Sequence, residues 1–248
     1  MSSGITILPL EGIPEIDPGD DVVALLADAA ERAGGLEDAD VLVVAQKAVS
    51  KAEGRIVALD EVEPSERARE LAAAGQDPRH VEVILRESAS VVRVRPPLVI
   101  SETRSGFICA SAGVDASNAK GAGTLILLPV DPDASAARIR DGLRERTGRD
   151  VAVIVSDSFG RPFRTGTVDV ALGVAGLTPL LDLRGVRDSV GYELHATQIA
   201  VADELAGAAE LVMGKVDGIP AAIIRGVDAR GAGSGRDLVI PEARDLFR

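Results

Sequence analysis

Two groups of oxygen-bearing side chains in this chain are spaced for chemistry. The first, Ser156-Asp157-Ser158, closes the apolar run of residues 151–155 and leads into Phe159-Gly160-Arg161-Pro162-Phe163-Arg164. A carboxylate and a hydroxyl at the rim of a sheet, with Arg161 and Arg164 close behind, suit a metal ion and a phosphate. An ordinary turn with solvated arginines would use the same residues. The second group is Ala112-Gly113-Val114-Asp115-Ala116-Ser117-Asn118. Its small residues let the backbone approach a ligand, and Asp115 and Asn118 offer oxygens on short side chains, to a cation or to an Asx-turn. Lys47 and Lys51 are four apart, so a helical turn puts both on one face. They follow a strand, where ligand sites are common, although a solvated basic turn has the same pattern.

Several familiar sites are absent. The sequence has no G-x-x-x-x-G-K-[ST] phosphate loop, no G-x-S-x-G elbow and no Rossmann glycine fingerprint. Its two histidines, His80 and His195, have no second His or Cys at ligand spacing, which argues against zinc. Cys109 sits in an apolar segment and reads as core. What remains is oxygen chemistry from Asp115, Asn118, Asp157 and Ser158, beside Lys47, Lys51, Arg161, Arg164 and Lys215. Hard oxygen ligands suit Mg²⁺ or Mn²⁺ held jointly with substrate phosphates, which points to nucleotide chemistry without naming a reaction.

The elements that must position these groups follow from periodicity. Strands are expected at residues 6–10, 40–45, 90–95, 124–128, 151–155 and 221–224, with further apolar segments at 168–174 and 179–183. Residues 98–101 and 106–111 suggest a hairpin, and Pro96-Pro97 should break the preceding strand. Helices are expected at 22–33 behind Pro18-Gly-Asp-Asp21, with Asp at or near the N-cap, and at 64–74, 77–87, 136–146 and 200–211. Met213 to Pro220 reads as a glycine-bracketed loop.

The 248 residues allow one large domain or two modest ones, and no interdomain linker is visible. Hydrophobic residues make up 46% but aromatics only 2%, so the core must be aliphatic. No apolar run is long enough for a bilayer and no leader pattern opens the chain, so a cytoplasmic protein without a membrane partner is expected. One cysteine suits a reducing compartment. The formal charge of −12, with no basic run to offset it, argues against sequence-independent nucleic-acid binding.

A series of short motifs then adds a family resemblance. Leu8-Pro-Leu10, Gly12-Ile-Pro-Glu15, Gly19-Asp-Asp21, Val49-Ser-Lys-Ala-Glu-Gly-Arg55, Ala112-Gly-Val-Asp-Ala-Ser-Asn118, Leu128-Pro-Val-Asp-Pro-Asp133, Ser156-Asp-Ser-Phe-Gly-Arg-Pro-Phe-Arg164, Gly185-Val-Arg-Asp188 and Asp203-Glu-Leu-Ala206 occur in that order. Each is weak alone. Their joint order and spacing resemble the coenzyme F420-0:L-glutamate ligase (γ-glutamyl ligase) family over residues 5–248.

The resemblance implies one ligase domain over residues 1–248, without the C-terminal nitroreductase-like domain fused to some bacterial members. It implies an α+β fold of mixed sheets with surface helices and an intertwined homodimer, whereas periodicity leaves an ordinary α/β fold open. It implies GTP-dependent addition of L-glutamate to coenzyme F420-0, by analogy through an acyl phosphate, with two divalent ions (Mn²⁺ or Mg²⁺) and stimulation by K⁺. Carried over by residue, Asp115 and Asp157 look like metal ligands, and Ser158 is placed to serve the second ion. Asp115, Asp157 and Arg161 are the expected catalytic residues. The nucleotide is expected at Ile13, Pro14, Glu15, Ile16, Gln46, Lys51, Asn118, Met213, Gly214, Lys215, Val216, Asp217, Gly218, Ile219 and Pro220. Lys215 departs from the pattern, since many relatives place a Glu or Gln metal ligand there and an ammonium cannot ligate a metal. A related ligase with another carboxylate acceptor, and a non-catalytic GTP-binding module, are the rival readings.

Overall fold

The structure is a computed structural model in which residues 4–72 and 75–246 are described. In chain order its elements are β1 (Thr6–Pro9), α1 (Val22–Arg32), β2 (Val41–Ala45), α2 (Gln46–Ala52), β3 (Ile56–Ala58), α3 (Glu66–Leu71), α4 (Pro78–Glu87), β4 (Ser88–Arg95), β5 (Leu98–Thr103), β6 (Ile108–Ala110), β7 (Thr124–Ile126), α5 (Pro132–Thr147), β8 (Ala152–Gly160), β9 (Thr167–Ala175), β10 (Leu181–Asp182), β11 (Gln198–Ile199), α6 (Val201–Met213) and β12 (Ala221–Arg225). The expected helix over residues 64–74 is observed as α3; residues 73–74 lie outside the described residues. Among the described residues no helix is long and apolar enough to cross a membrane.

The fold is α+β, built on a mixed five-stranded sheet in the order β1-β12-β2-β8-β9. Only β2 and β8 pair in parallel; the other neighbours are antiparallel. Both faces of the sheet's centre are buried, which explains why β2, β12 and the first half of β8 are continuous apolar runs rather than alternating ones. Leu42, Val44, Val153, Val155 and Ile223 meet α1 and α5 on one face. Val41, Val43, Ala152, Ile154 and Ile224 meet α6 on the other. Gly173 lets the start of α5 rest directly on β9, for a Cβ there would lie 2.1 Å from the Pro132 carbonyl oxygen.

A smaller core joins Val62, Val83, Ile84, Val99, Ala112, Val114, Leu125 and Leu127 beneath the β3-β7 and β4-β5-β6 sheets. The expected break at Pro96-Pro97 is observed: β4 ends at Arg95, and the two prolines form the turn of a hairpin in which Arg95 pairs with Leu98. The backbone N–H groups that proline lacks are not needed at a turn.

One correction matters for the site. Asp157 and Ser158 do not lie where a strand stops. Strand β8 continues to Gly160, and its partner β9 follows it to the Gly160–Thr167 pair. Only the parallel neighbour β2 stops early, at the Ala45–Ser156 pair. The polar residues therefore lie in a paired strand that outruns its neighbour, and the turn is residues 161–166.

Candidate active site

The termination of β2 opens a cavity of about 640 Å³ at one edge of the central sheet. Strands β1, β2 and β8 run toward it and β12 and β9 run away, so five strand ends border one space. This is where α/β sheets commonly bind ligands. The segment after β1 supplies Ile13, Pro14, Glu15 and Ile16, and α2 supplies Gln46, Lys47, Ala48 and Lys51. Strand β8 supplies Ser156, Asp157 and Ser158. The loop after α6 closes the far side, held to the end of β2 by the Ala45 N–H donating to the Pro220 carbonyl at 2.8 Å.

Of the residues expected at the nucleotide, Ile13, Pro14, Glu15, Ile16, Gln46, Lys51 and Asn118 all line this cavity. So does every residue from 213 to 220 except Asp217. The Asp217 carboxylate turns back over Gly214, where a Cβ would lie 2.0 Å from its Oδ2. Lys47 and Lys51 share a helical face, as their spacing implies, and both are pinned. Lys51 Nζ donates to Glu15 Oε1 at 2.5 Å and Lys47 Nζ donates to Asp115 Oδ2 at 2.6 Å. Gln46 is buried, its Oε1 accepts from the Ser50 hydroxyl, and its Nε2 has no protein partner among the described residues. A buried donor left open at a cavity wall points to an acceptor on the ligand.

The two expected metal carboxylates sit in opposite electrostatic settings. Burial pushes the Asp157 carboxyl up to about 6, with neighbouring Asp169 adding to the rise; the Ser158 N–H, Lys47 and Lys215 act against it. Burial would also raise Asp115, but hydrogen bonds from Lys47 and Ser117 outweigh it and hold that carboxyl at about 2. Asp115 is not among the residues that line the cavity, but it is paired with Lys47, which is. The turn that carries it is tightly wound, since Ser111 and Ala112 both adopt positive φ (55° and 50°). Such strain in non-glycine residues persists only where the surroundings enforce it.

Arg161 is not among the lining residues. It lies at the tip of the β8–β9 hairpin, where its guanidinium donates to the Thr165 carbonyl at 2.8 Å. Cys109 is buried, and burial pushes its thiol up to about 12, which fits a core residue. The wall also contains Asp169, Lys120 and Glu210, which the motifs do not single out. Asp169 carries a readable signal: a lone carboxylate between Val168 and Val170 in a β-branched strand is a polar group turned inward on purpose.

The model of the F420-0:Gamma-glutamyl ligase family matches residues 12–226. The chain belongs to this family. It is 49% identical to the coenzyme F420:L-glutamate ligase of Methanothermobacter thermautotrophicus, with 99% of both chains covered. The protein of the same name from Methanopyrus kandleri is also 49% identical, again over 99% of both. That from Archaeoglobus fulgidus is 42% identical over 98% of this chain and 96% of its own. Membership in the γ-glutamyl ligase family thus extends over the 10–16 segment, α2, the 112–118 turn, β8 and the 213–220 loop, all of which build the cavity.

Proposed function

We propose that this protein is a GTP-dependent ligase that joins L-glutamate to coenzyme F420-0, first at the lactyl carboxylate and then through γ-linkages, releasing GDP and phosphate. One observation carries the reading. Residues assigned to the nucleotide by the family resemblance come from four separate stretches of chain and line a single cavity of a size typical for small-molecule ligands. The relatives' shared name, coenzyme F420:L-glutamate ligase, supports the substrates.

In this reading the acceptor carboxylate attacks the γ-phosphorus, the β–γ anhydride breaks and GDP leaves. The glutamate amine then attacks the acyl carbon, the carbon–oxygen bond to phosphate breaks, and an amide forms. The protein's contribution is chiefly position and charge. Lys51 and Lys215 neutralise phosphate oxygens, and the open Nε2 of Gln46 donates to a nucleotide acceptor. Gly214 and Gly218, at φ 61° and 69°, let the 213–220 loop follow the ligand closely.

The residues present fit a divalent cation. Asp157 brings a carboxylate and Ser158 a hydroxyl to the wall, an oxygen-only donor pair, with Asp169 and Ser156 beside them. Among the described residues no three His, Cys, Asp or Glu side chains converge. The protein would therefore hold Mg²⁺ or Mn²⁺ through Asp157 and Ser158, with water and phosphate completing its shell. Asp115 joins them if Lys47 releases it. The cation supplies charge neutralisation at the transferring phosphate. We also assign a homodimer, supported by the apolar surface that Val190 and Tyr192 expose (86% and 62%) on the arm between β10 and β11.

The test is GDP release by the purified protein with Mn²⁺, omitting one substrate at a time. The reading requires release that depends on both F420-0 and L-glutamate. Release that ignores F420-0, or responds equally to unrelated carboxylates, contradicts it.

A further inference from the structure

Asp169 lies directly across the β8–β9 ladder from Ser158 and is only 6% exposed. Its two oxygens are both engaged. Oδ1 accepts from the Ser158 hydroxyl at 2.7 Å and Oδ2 accepts from the Ser156 hydroxyl at 3.0 Å. Among the described residues it makes no ion pair with a Lys, Arg or His. Neither motif nor family resemblance assigns this residue a role.

The donor arithmetic at Ser158 is restrictive. A serine hydroxyl has one proton and two lone pairs, an ionised carboxylate only accepts, and an ammonium only donates. The proton of Ser158 is therefore committed to Asp169, and one lone pair receives Lys215 Nζ at 3.2 Å. The remaining lone pair has nothing to offer a phosphate oxygen, which needs a proton. It suits a cation. Ser156 holds the far oxygen of Asp169, so the carboxylate cannot rotate away from this task without breaking a second bond.

We propose that Asp169 is the positioning residue of the cation site: by taking the Ser158 proton it fixes that hydroxyl as a lone-pair donor to a divalent cation. The proposal rests on the cation reading given above. Hydrogen-bond partners behind a metal ligand set its orientation and basicity, and their removal costs about 10- to 100-fold in metal affinity.

The test is Mn²⁺ affinity, read from the electron paramagnetic resonance signal of free Mn²⁺, for the unaltered protein, Asp169→Asn, Ser158→Ala and the double variant. Each single variant is expected to bind Mn²⁺ about 10- to 100-fold more weakly. Because Asp169 acts through Ser158, the double variant should bind no more weakly than Ser158→Ala alone. Additive losses would mean that Asp169 meets the cation directly, and unaltered affinity in Asp169→Asn would mean that it does nothing there; either overturns the proposal. If Asp169→Asn does not fold, wild-type affinity in Ser158→Ala overturns it instead. No Mn²⁺ binding by the unaltered protein removes the cation reading itself, and this inference with it.

Discussion

Lys47 Nζ lies 2.6 Å from Asp115 Oδ2, joining the first turn of α2 to a turn 68 residues later. The same ammonium bonds Ser117 Oγ at 2.5 Å, so one lysine holds the 115–117 turn against the cavity. Its side chain is 12% exposed and that of Asp115 40%, intermediate between a buried and a surface pair. A double-mutant cycle of Lys47→Ala and Asp115→Ala should give a coupling energy of about 1–2 kcal/mol in urea denaturation. A coupling near zero would show that the pair does not hold the turn.

Lys51→Ala should weaken GTP binding by about 10- to 100-fold, the equivalent of one or two charge-assisted contacts. Isothermal titration in the absence of F420-0 reads this directly. Unchanged affinity would remove Lys51 from the nucleotide site, and Glu15 would lose its reason to be there.

Asp157 gives a pH signature. Its carboxyl is held at about 6 in the fold against 3.8 for the free group, so between those values the folded protein binds the proton more tightly than the unfolded chain. Stability should therefore fall as pH rises through this window, by a total on the order of 3 kcal/mol. Asp157→Asn carries no charge and should escape that fall. In metal-free buffer it should exceed the unaltered protein in stability at pH 7.5 and match it near pH 3.5, while losing Mn²⁺-dependent turnover. Parallel stability profiles would show that Asp157 is not desolvated.

Gly173→Ala tests the frame that carries the site. The added Cβ would meet backbone, which cannot yield as a side chain can, so a loss of about 3 kcal/mol or more is expected from the denaturation midpoint. A loss under about 1 kcal/mol would mean that α5 does not rest on β9 as described.

Much of this arrangement was legible in the residues. The aspartate cap before α1, the apolar runs of β2, β8 and β12, and the four-residue spacing of Lys47 and Lys51 each report local physics. Ser156 to Gly160 was harder to read, because serine, aspartate and glycine look like a turn when the partner strand is unseen. Pairing with β9 satisfies their backbone, and that pairing is a long-range fact. Arg161 belongs to the same motif as Asp157 and Ser158, yet it follows the end of β8 in the hairpin turn, and it is not among the residues that line the cavity. Asp169 had the converse problem, lying eleven residues from Ser158 in the chain but opposite it in the sheet. The nucleotide residues came from the family resemblance rather than from spacing, and the cavity brings all but Asp217 together.

The most direct test of the ligase assignment is mass spectrometry of the product formed by purified protein with F420-0, L-glutamate, GTP and Mn²⁺. The expected products are F420 species that step upward by one glutamyl residue at a time, with GDP formed for each step. Unchanged F420-0 in a sample shown to bind both GTP and Mn²⁺ would contradict that assignment.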